Sequence, residues 1–196
     1  AISGELAERD PDNVEWQHNY AVALWRVGEF RRMRGELGRS LELLARADSL
    51  MRAALAKAPG RTWGTELAGI DTTYSQALSA ANQRQRAQQM LMATVKALEA
   101  HHTADAQARR ADAWFSLGEI HRANGDRPRA TEAWSNAQSE LAEIVPKSND
   151  PRRLRLWVRT LARLHRFDEA RSFRARLEKI GYQDPEIEQI CSAEGC

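Results

Sequence analysis

The stretch that decides the fold runs Trp114-Phe115-Ser116-Leu117-Gly118-Glu119-Ile120-His121, and Ala130 and Trp134 follow it. Its spacing is W-x2-L-G-x2-H and then A-x3-W, which is typical of two antiparallel helices that share one apolar side. Such a pair cannot bury that side alone and must stack on neighbouring pairs. The stretch therefore predicts weaker copies of itself in the rest of the chain.

The composition is that of a globular protein without a strong bias. Of the 196 residues, 42% are hydrophobic and 29% are charged, and the net charge is +2. This length is enough for a sizeable core, and so small a charge provides no general attraction for nucleic acid. No window of about eighteen residues is continuously apolar, so the sequence predicts no transmembrane helix.

The chain divides into helix-length segments that are separated by Gly, Pro, Asn and Asp. Good helix formers such as Ala, Leu, Arg, Glu and Gln dominate, and no segment shows the alternation of a strand. A short final helix is expected over 185–193, because Asp184-Pro185 is a helix start signal. The eight longer helices are predicted over 12–34, 37–57, 62–81, 84–102, 105–124, 127–145, 150–165 and 168–180.

Small residues give four helix pairs a common register. Early in the second helices they are Ser40, Ala87, Ala130 and Ala170, with spacings of 47, 43 and 40 residues. The matching residues of the first helices are Gly28, Ser75, Gly118 and Val158. The two glycines are expected where one helix approaches its neighbour too closely for a larger side chain. The units are then 12–58, 62–102, 105–145 and 150–181.

The third unit resembles the tetratricopeptide repeat, whose signature is W-x2-L-G-x2-Y and then A-x3-F. The first unit keeps Val27-Gly28, and the fourth keeps Phe167-Asp168-Glu169-Ala170. The usual period is about 34 residues, and HEAT and armadillo repeats have longer periods like those seen here. The W-x2-L-G pattern and the turn Asn124-Gly125-Asp126 favour the tetratricopeptide interpretation.

This resemblance implies an all-α fold over residues 1–196 as a single domain. The expected architecture is a right-handed α-solenoid of about four long helix pairs with a short C-terminal helix. The opening run Leu6-Ala7-Glu8-Arg9-Asp10-Pro11 is typical of a helix end followed by a turn. We therefore expect the array to be the C-terminal part of a larger bacterial multidomain protein. The bacterial cytoplasm is the favoured compartment, and the periplasm is the alternative if a preceding part carries a transmembrane helix.

No catalytic motif is visible in the sequence. It has no phosphate-binding glycine loop, no H-E-x-x-H and no G-x-S-x-G. The adjacent His101-His102 pair lacks further metal ligands and fits a helix C-terminus better. Cys191 and Cys196 are expected to be unpaired thiols, with a disulfide as the alternative in an oxidising compartment. We therefore expect neither an enzyme nor a metal or cofactor.

The resemblance implies a concave groove lined by the first helices. Trp25 lies three residues before Gly28, as Phe115 does before Gly118, at a site that faces this groove in the family; core packing is the alternative. The same register gives a candidate lining of Trp25, Glu29, Arg32, Thr72, Gln76, Ser79, Phe115, Glu119, Arg122, Arg152, Arg155, Arg159 and Arg163. The Lys/Asn clamp with which some family members hold a terminal carboxylate is not matched at these sites.

The last four of these residues form an arginine face, because spacings of three and four place them on one side of a helix. Arginine forks bind carboxylates in a bidentate manner, so this face predicts an acidic peptide as partner. The alternative is a solvated face, or one that pairs with acidic neighbours such as Glu132, Glu140 and Glu143. Nucleic acid is not expected, since the net charge is only +2 and no base-reading pair of residues repeats from unit to unit.

These observations predict a non-enzymatic scaffold or regulatory module that binds a protein or peptide. Two alternatives remain open from the sequence. One is the ligand- or peptide-sensing domain of a bacterial kinase or transcriptional regulator, and the other is a self-association module.

Overall fold

The chain is all-helical in the part that the computed structural model describes, residues 2–194, with side chains described up to residue 190. The predicted all-α fold class is confirmed. None of the described helices is both long and apolar enough to cross a membrane. The helices are α1 (Ile2–Arg9), α2 (Val14–Met33), α3 (Leu37–Lys57), α4 (Gly64–Ala80), α5 (Arg84–Leu98), α6 (Ala104–Ala123), α7 (Arg127–Leu141), α8 (Pro151–Arg163), α9 (Phe167–Lys179) and α10 (Pro185–Glu194).

The chain separates into two compact units, Ala1–Leu98 and Glu99–Cys196. In unit 1, α2 pairs with α3 and α4 pairs with α5, while α1 packs on α2. In unit 2, α6 pairs with α7 and α8 pairs with α9, while α10 packs on α8. Within each unit the second helix of one pair contacts the first helix of the next, which is how repeated hairpins share a core. That residues 1–196 act as a single domain stays a prediction.

Two helices, α5 and α7, end four residues earlier than predicted, at 98 against 102 and at 141 against 145. α5 ends at Leu98, and the chain then turns until the Thr103 hydroxyl caps α6 by accepting the Ala106 N–H at 3.2 Å. α7 ends at Leu141, although Val145 beyond it remains fully buried. After α7 an apolar residue thus continues to pack once the helical hydrogen bonds have stopped, whereas residues 99–105 after α5 are all exposed.

The predicted register of small residues is confirmed. All eight of these residues are buried, and Ser40 donates a hydrogen bond to the Gly28 carbonyl at 2.8 Å. A Cβ atom at Gly28 would lie 2.8 Å from Leu44 Cγ, and one at Gly118 would lie 2.3 Å from Trp134 Nε1. Glycine is therefore required at both positions by close helix contact rather than by backbone conformation.

The four hairpin turns share one backbone conformation. In each, the residue seven positions after the small residue of the first helix has a positive φ. The following N–H donates to a carbonyl five residues back, as from Glu36 to Arg31 at 2.9 Å, which is the Schellman way of closing a helix. These turn residues are Gly35 (76°), Asn82 (61°), Gly125 (78°) and His165 (58°).

Unit 2 has an aromatic core between its two hairpins. Trp134 and Trp157 are buried there, and Trp157 meets Phe173 edge to face with ring centroids 5.9 Å apart. Ile187 of α10 belongs to the same cluster of buried residues. The last helix is therefore anchored by apolar contact as well as by the charges described below.

Candidate functional site

Trp25, the first residue of the predicted groove, is buried between α2 and α4. Its Nε1 donates to the Thr73 hydroxyl at 2.8 Å, and the Arg26 guanidinium lies 4.0 Å from the centre of its ring. The indole therefore fills the space between α2 and α4, which are the first helices of the two pairs in unit 1. Core packing, the alternative interpretation from the sequence, describes its position.

The other predicted groove residues of unit 1 differ in how far they are exposed. Thr72 is buried, and its hydroxyl donates to the Ala68 carbonyl of its own helix at 2.8 Å. Glu29 pairs with Arg26 at 3.4 Å on the surface. Arg32, Gln76 and Ser79 are half-buried.

In unit 2, Phe115 is buried at the place that corresponds to Trp25. The Arg159 guanidinium covers its ring at 4.5 Å from the centre. One turn further along α6, Glu119 accepts from Arg122 at 3.0 Å and from Arg163 through Nε at 2.8 Å and Nη2 at 3.0 Å. The structure thus brings Phe115, Glu119, Arg159 and Arg163 together.

The arginine face of α8 meets carboxylates that the sequence interpretation did not assign to it. Arg155 forms ion pairs with Asp184 and, at 2.6 Å, with Glu186. Arg159 also reaches Glu186, at 3.1 Å. Arg152 stands apart, because it is exposed and pairs with Asp150, the cap of its own helix, at 3.2 Å. The three inner arginines therefore form one site, and Arg152 lies outside it.

The acidic partners come from the start of α10. Asp184 caps this helix by accepting the Glu186 N–H at 2.8 Å, so one carboxylate both begins the helix and pairs with Arg155. The sequence predicted only a short final helix here, over 185–193, and the acidic neighbours named for the arginine face were Glu132, Glu140 and Glu143. Glu140 instead takes a bidentate pair from Arg110, at 2.8 and 2.7 Å. The available signal was Asp184-Pro185-Glu186 itself, which places two carboxylates at a helix start.

Burial opposes the charge of both central arginines, Arg155 and Arg159, but the net shift in pKa differs between them. Burial lowers the pKa of Arg159 despite the attraction of Glu186. Burial also opposes the charge of Arg155, but Asp184 and Glu186 outweigh it and leave the pKa of Arg155 raised. The Arg159 Nε is buried with no hydrogen-bond acceptor among the described residues. Arg159 is thus a poorly hydrated cation with a donor still unused.

A second polar cluster lies inside unit 1, and the sequence interpretation missed it. Asp71 on α4 is buried, pairs with Arg52 at 2.7 Å and accepts from Thr94 at 3.1 Å. Burial raises the pKa of Asp71 to about 7, a hydrogen bond with Asp48 adds to the rise, and Arg52 opposes both. The register offers a signal, because Asp71 stands four residues before Ser75, where the other first helices have Leu24, Trp114 and Leu154.

The described residues contain no group of three or more His, Cys, Asp or Glu side chains placed to hold a metal. His101 and His102 lie in the connection between α5 and α6, where the His101 carbonyl accepts from Arg110 at 2.8 Å. The side chains of Cys191 and Cys196 lie outside the described part of the chain. The partner-binding role of the predicted groove residues stays a prediction.

Two solved structures are similar to this chain over most of its length. The crystal structure of MamA has 19% identity and a TM-score of 0.44, with 91% of this chain and 85% of that chain covered. The crystal structure of BtubC (BKLC) from P. vanneervenii has 16% identity and a TM-score of 0.49, with 93% and 89% covered. Likeness at this level carries no argument about binding. No protein-family model matches the chain, and no curated protein matches it.

Proposed function

We propose that this chain is a non-enzymatic protein-interaction module whose arginine face on α8 binds an acidic helical segment. The observation that supports this is the arrangement of Arg155 and Arg159, which together hold Asp184 and Glu186 at the start of α10. The helix α10 then serves as a resident occupant, and a partner with a similar helix start competes with it.

The chemistry of the site fits such a partner. Arginine presents several N–H donors in a planar fork that matches a carboxylate, and it remains charged when partly buried. The start of a helix adds capping carboxylates at fixed positions, so an acidic helix start presents two anions together. Phe115 beneath Arg159 keeps water from one side of that cation. These features favour a carboxylate-bearing helix over a diffuse anionic surface.

Exchange of α10 is supported by where its contacts lie. Arg155 and Glu186 keep 30% and 44% of their side-chain surface exposed, so solvent reaches this ion pair, whereas Asp184 is only 6% exposed. Exposed ion pairs contribute little to stability, about 1 kcal/mol or less each. The attachment of α10 therefore depends on the buried Asp184, which pairs with Arg155, and on the apolar contacts of Ile187 and Ile190. Because α10 is covalently tethered, it acts at an effective concentration on the order of millimolar, which an outside partner must overcome.

The test measures binding of a labelled synthetic peptide with the sequence of residues 182–194. In the full chain, Asp184→Asn, Glu186→Gln and Ile187→Ser together release α10. Fluorescence anisotropy should show at least roughly tenfold tighter peptide binding to this release variant than to the wild type. Circular dichroism and the melting temperature establish that the variant remains folded.

Adding Arg155→Gln and Arg159→Gln to the release variant should abolish peptide binding. Arg166→Gln and Arg171→Gln provide the matched control, because these arginines pair with acidic residues of their own helix, at 2.6 and 3.1 Å. Equal binding with and without the two site arginines would overturn the proposal. Equal binding to the wild type and the release variant would show that α10 does not occupy the site.

A further inference from the structure

The α2 stripe, formed by Val27, Phe30 and Met33, is apolar and exposed. These side chains expose 46%, 52% and 71% of their surface, and they share one side of the second half of α2. Monomers rarely leave neighbouring large apolar side chains uncovered without a binding role. The stripe lies in unit 1, so its role does not depend on the arginine face of unit 2.

The repeat register shows that this side of a first helix is normally a packing surface. The position just before the small residue is at most 5% exposed in the other three first helices, and the position two residues after it is at most 2% exposed. The buried counterparts of Val27 are Tyr74, Leu117 and Trp157, and those of Phe30 are Ala77, Ile120 and Thr160. Only α2, among the described first helices, leaves both positions open.

A helix already covers the beginning of the same side of α2. Tyr20 lies seven residues before Val27, so the two side chains point in nearly the same direction. The ring of Tyr20 meets α1, where a Cβ atom at Gly4 would lie 3.1 Å away. Gln17 fastens α1 by donating to the Ala7 carbonyl at 2.8 Å. The uncovered part of the stripe therefore continues a surface that accepts a helix.

The charges beside the α2 stripe indicate the chemistry of its occupant. Arg26 and Arg34 pair with Glu29 and Glu36, at 3.4 and 3.2 Å, and remain half-exposed or more. The Arg34 guanidinium lies 5.7 Å from the centre of the Phe30 ring. Over residues 26–36 there are four arginines and two glutamates, which leaves a local charge of +2. A partner helix with carboxylates beside its apolar side chains complements this surface.

We infer that the α2 stripe is a docking surface for an amphipathic helix of another protein, with apolar residues spaced three and four apart and acidic flanks. Such a helix inserts its side chains between Val27 and Phe30 as a neighbouring repeat would. Its glutamates meet Arg26 and Arg34 at the edges. This inference goes beyond the proposed function, because it assigns a second surface and a different kind of contact.

The test uses two labelled synthetic helices of about four turns each with the same leucine positions, one flanked by glutamates and the other by lysines. The acidic peptide should bind the wild-type chain at least roughly tenfold more tightly than the basic one. Val27→Ser with Phe30→Ser should weaken that binding at least about tenfold, and both residues are exposed enough for the fold to tolerate the change. Met92→Ser is the matched control, because Met92 is 48% exposed on α5, outside the stripe.

Three results would overturn the inference. The first is equal binding of the acidic and basic peptides, and the second is unchanged binding by the double serine variant. The third is a wild-type dimer in sedimentation that the double serine variant dissociates, since the stripe would then be covered by a second copy. Loss of Arg155 and Arg159 should leave acidic-peptide binding to the stripe unchanged, which separates this test from that of the arginine face.

Discussion

The first helix pair of unit 1 is α2 with α3, and that of unit 2 is α6 with α7. The two pairs are alike in the contact between their helices, but they differ in how far another side of the first helix is exposed. Inside, Gly28 and Gly118 allow close contact with the second helix. Outside, Val27 and Phe30 are exposed where Leu117 and Ile120 are buried. The comparison shows that the small residues and turns are common to both hairpins, while neighbouring positions decide whether one side of the first helix is buried or exposed.

The inner contacts also differ in how strictly they exclude a side chain. At Gly118 an added Cβ would meet the rigid indole of Trp134 at 2.3 Å, whereas at Gly28 it would meet the flexible side chain of Leu44 at 2.8 Å. Crowding a rigid ring inside a core costs more than crowding a side chain with free torsions. We therefore expect the steric cost of replacing the glycine to be larger at Gly118 than at Gly28.

The largest expected effect comes from Gly118→Ala. We expect it to lower the free energy of unfolding by about 3 kcal/mol, because overpacking outweighs the roughly 1 kcal/mol gain in helix propensity. Gly28→Ala should cost about 1 kcal/mol, since Leu44 can move aside. Urea unfolding followed by circular dichroism measures both. A larger loss at Gly28 than at Gly118 would reverse the comparison.

The second prediction concerns Asp71, the polar exception among the first helices. Because burial raises the pKa of Asp71 from 3.8 to about 7, its proton stabilises the folded state below about pH 4. That contribution is lost as the pH rises through 7. Asp71→Asn should remove this fall and stabilise the chain at pH 8 by about 2 kcal/mol, as thermal unfolding at several pH values will show.

Arg52→Gln provides the matched control for Asp71. The charge of Arg52 favours the ionised form of Asp71, so its removal should raise the pKa further and move the loss of stability to higher pH. Unchanged pH dependence in Asp71→Asn would mean that another group is responsible for it.

The smallest expected effects lie in the hairpin turns, where each unit has one glycine and one other residue with positive φ. Gly125→Ala should cost about 1 kcal/mol, because its φ of 78° is unfavourable for a side chain. Asn82→Gly should change stability by only a few tenths of a kcal/mol, since asparagine tolerates this conformation. Chemical denaturation curves will compare them, and equal losses in both variants would contradict the turn assignment.

Much of the fold was predictable from residues that have few alternatives. The eight small residues of the common register and the turn at Asn124-Gly125-Asp126 were identified from spacing alone, and the structure places them as expected. The left-handed turn at His165 was not predicted, because histidine carries no general signal for that conformation. There the surrounding helices, rather than the residue, determine the backbone.

The site was less predictable, because it depends on contacts between residues distant in sequence. The spacing of Arg155, Arg159 and Arg163 predicts a shared face, and the structure shows them on one side of α8. The pairing of Arg155 and Arg159 with Asp184 and Glu186 requires α10 to fold back on α8, which no local sequence pattern predicts. Trp25 and Phe115 illustrate the same difficulty, since a large aromatic at a groove position also fills a gap between adjacent helices.

The four hairpin turns determine which parts of the repeat keep a constant length and which parts vary. The two small residues of every pair are twelve positions apart, with the turn residue always seven positions after the first. From the second small residue to the next first one, however, the separation falls from 35 to 31 and then 28. Added or deleted residues therefore accumulate at the opposite ends of the helices. The helices can therefore differ in length at those ends from one pair to the next, while the turn and the close contact between the two helices of a pair stay the same.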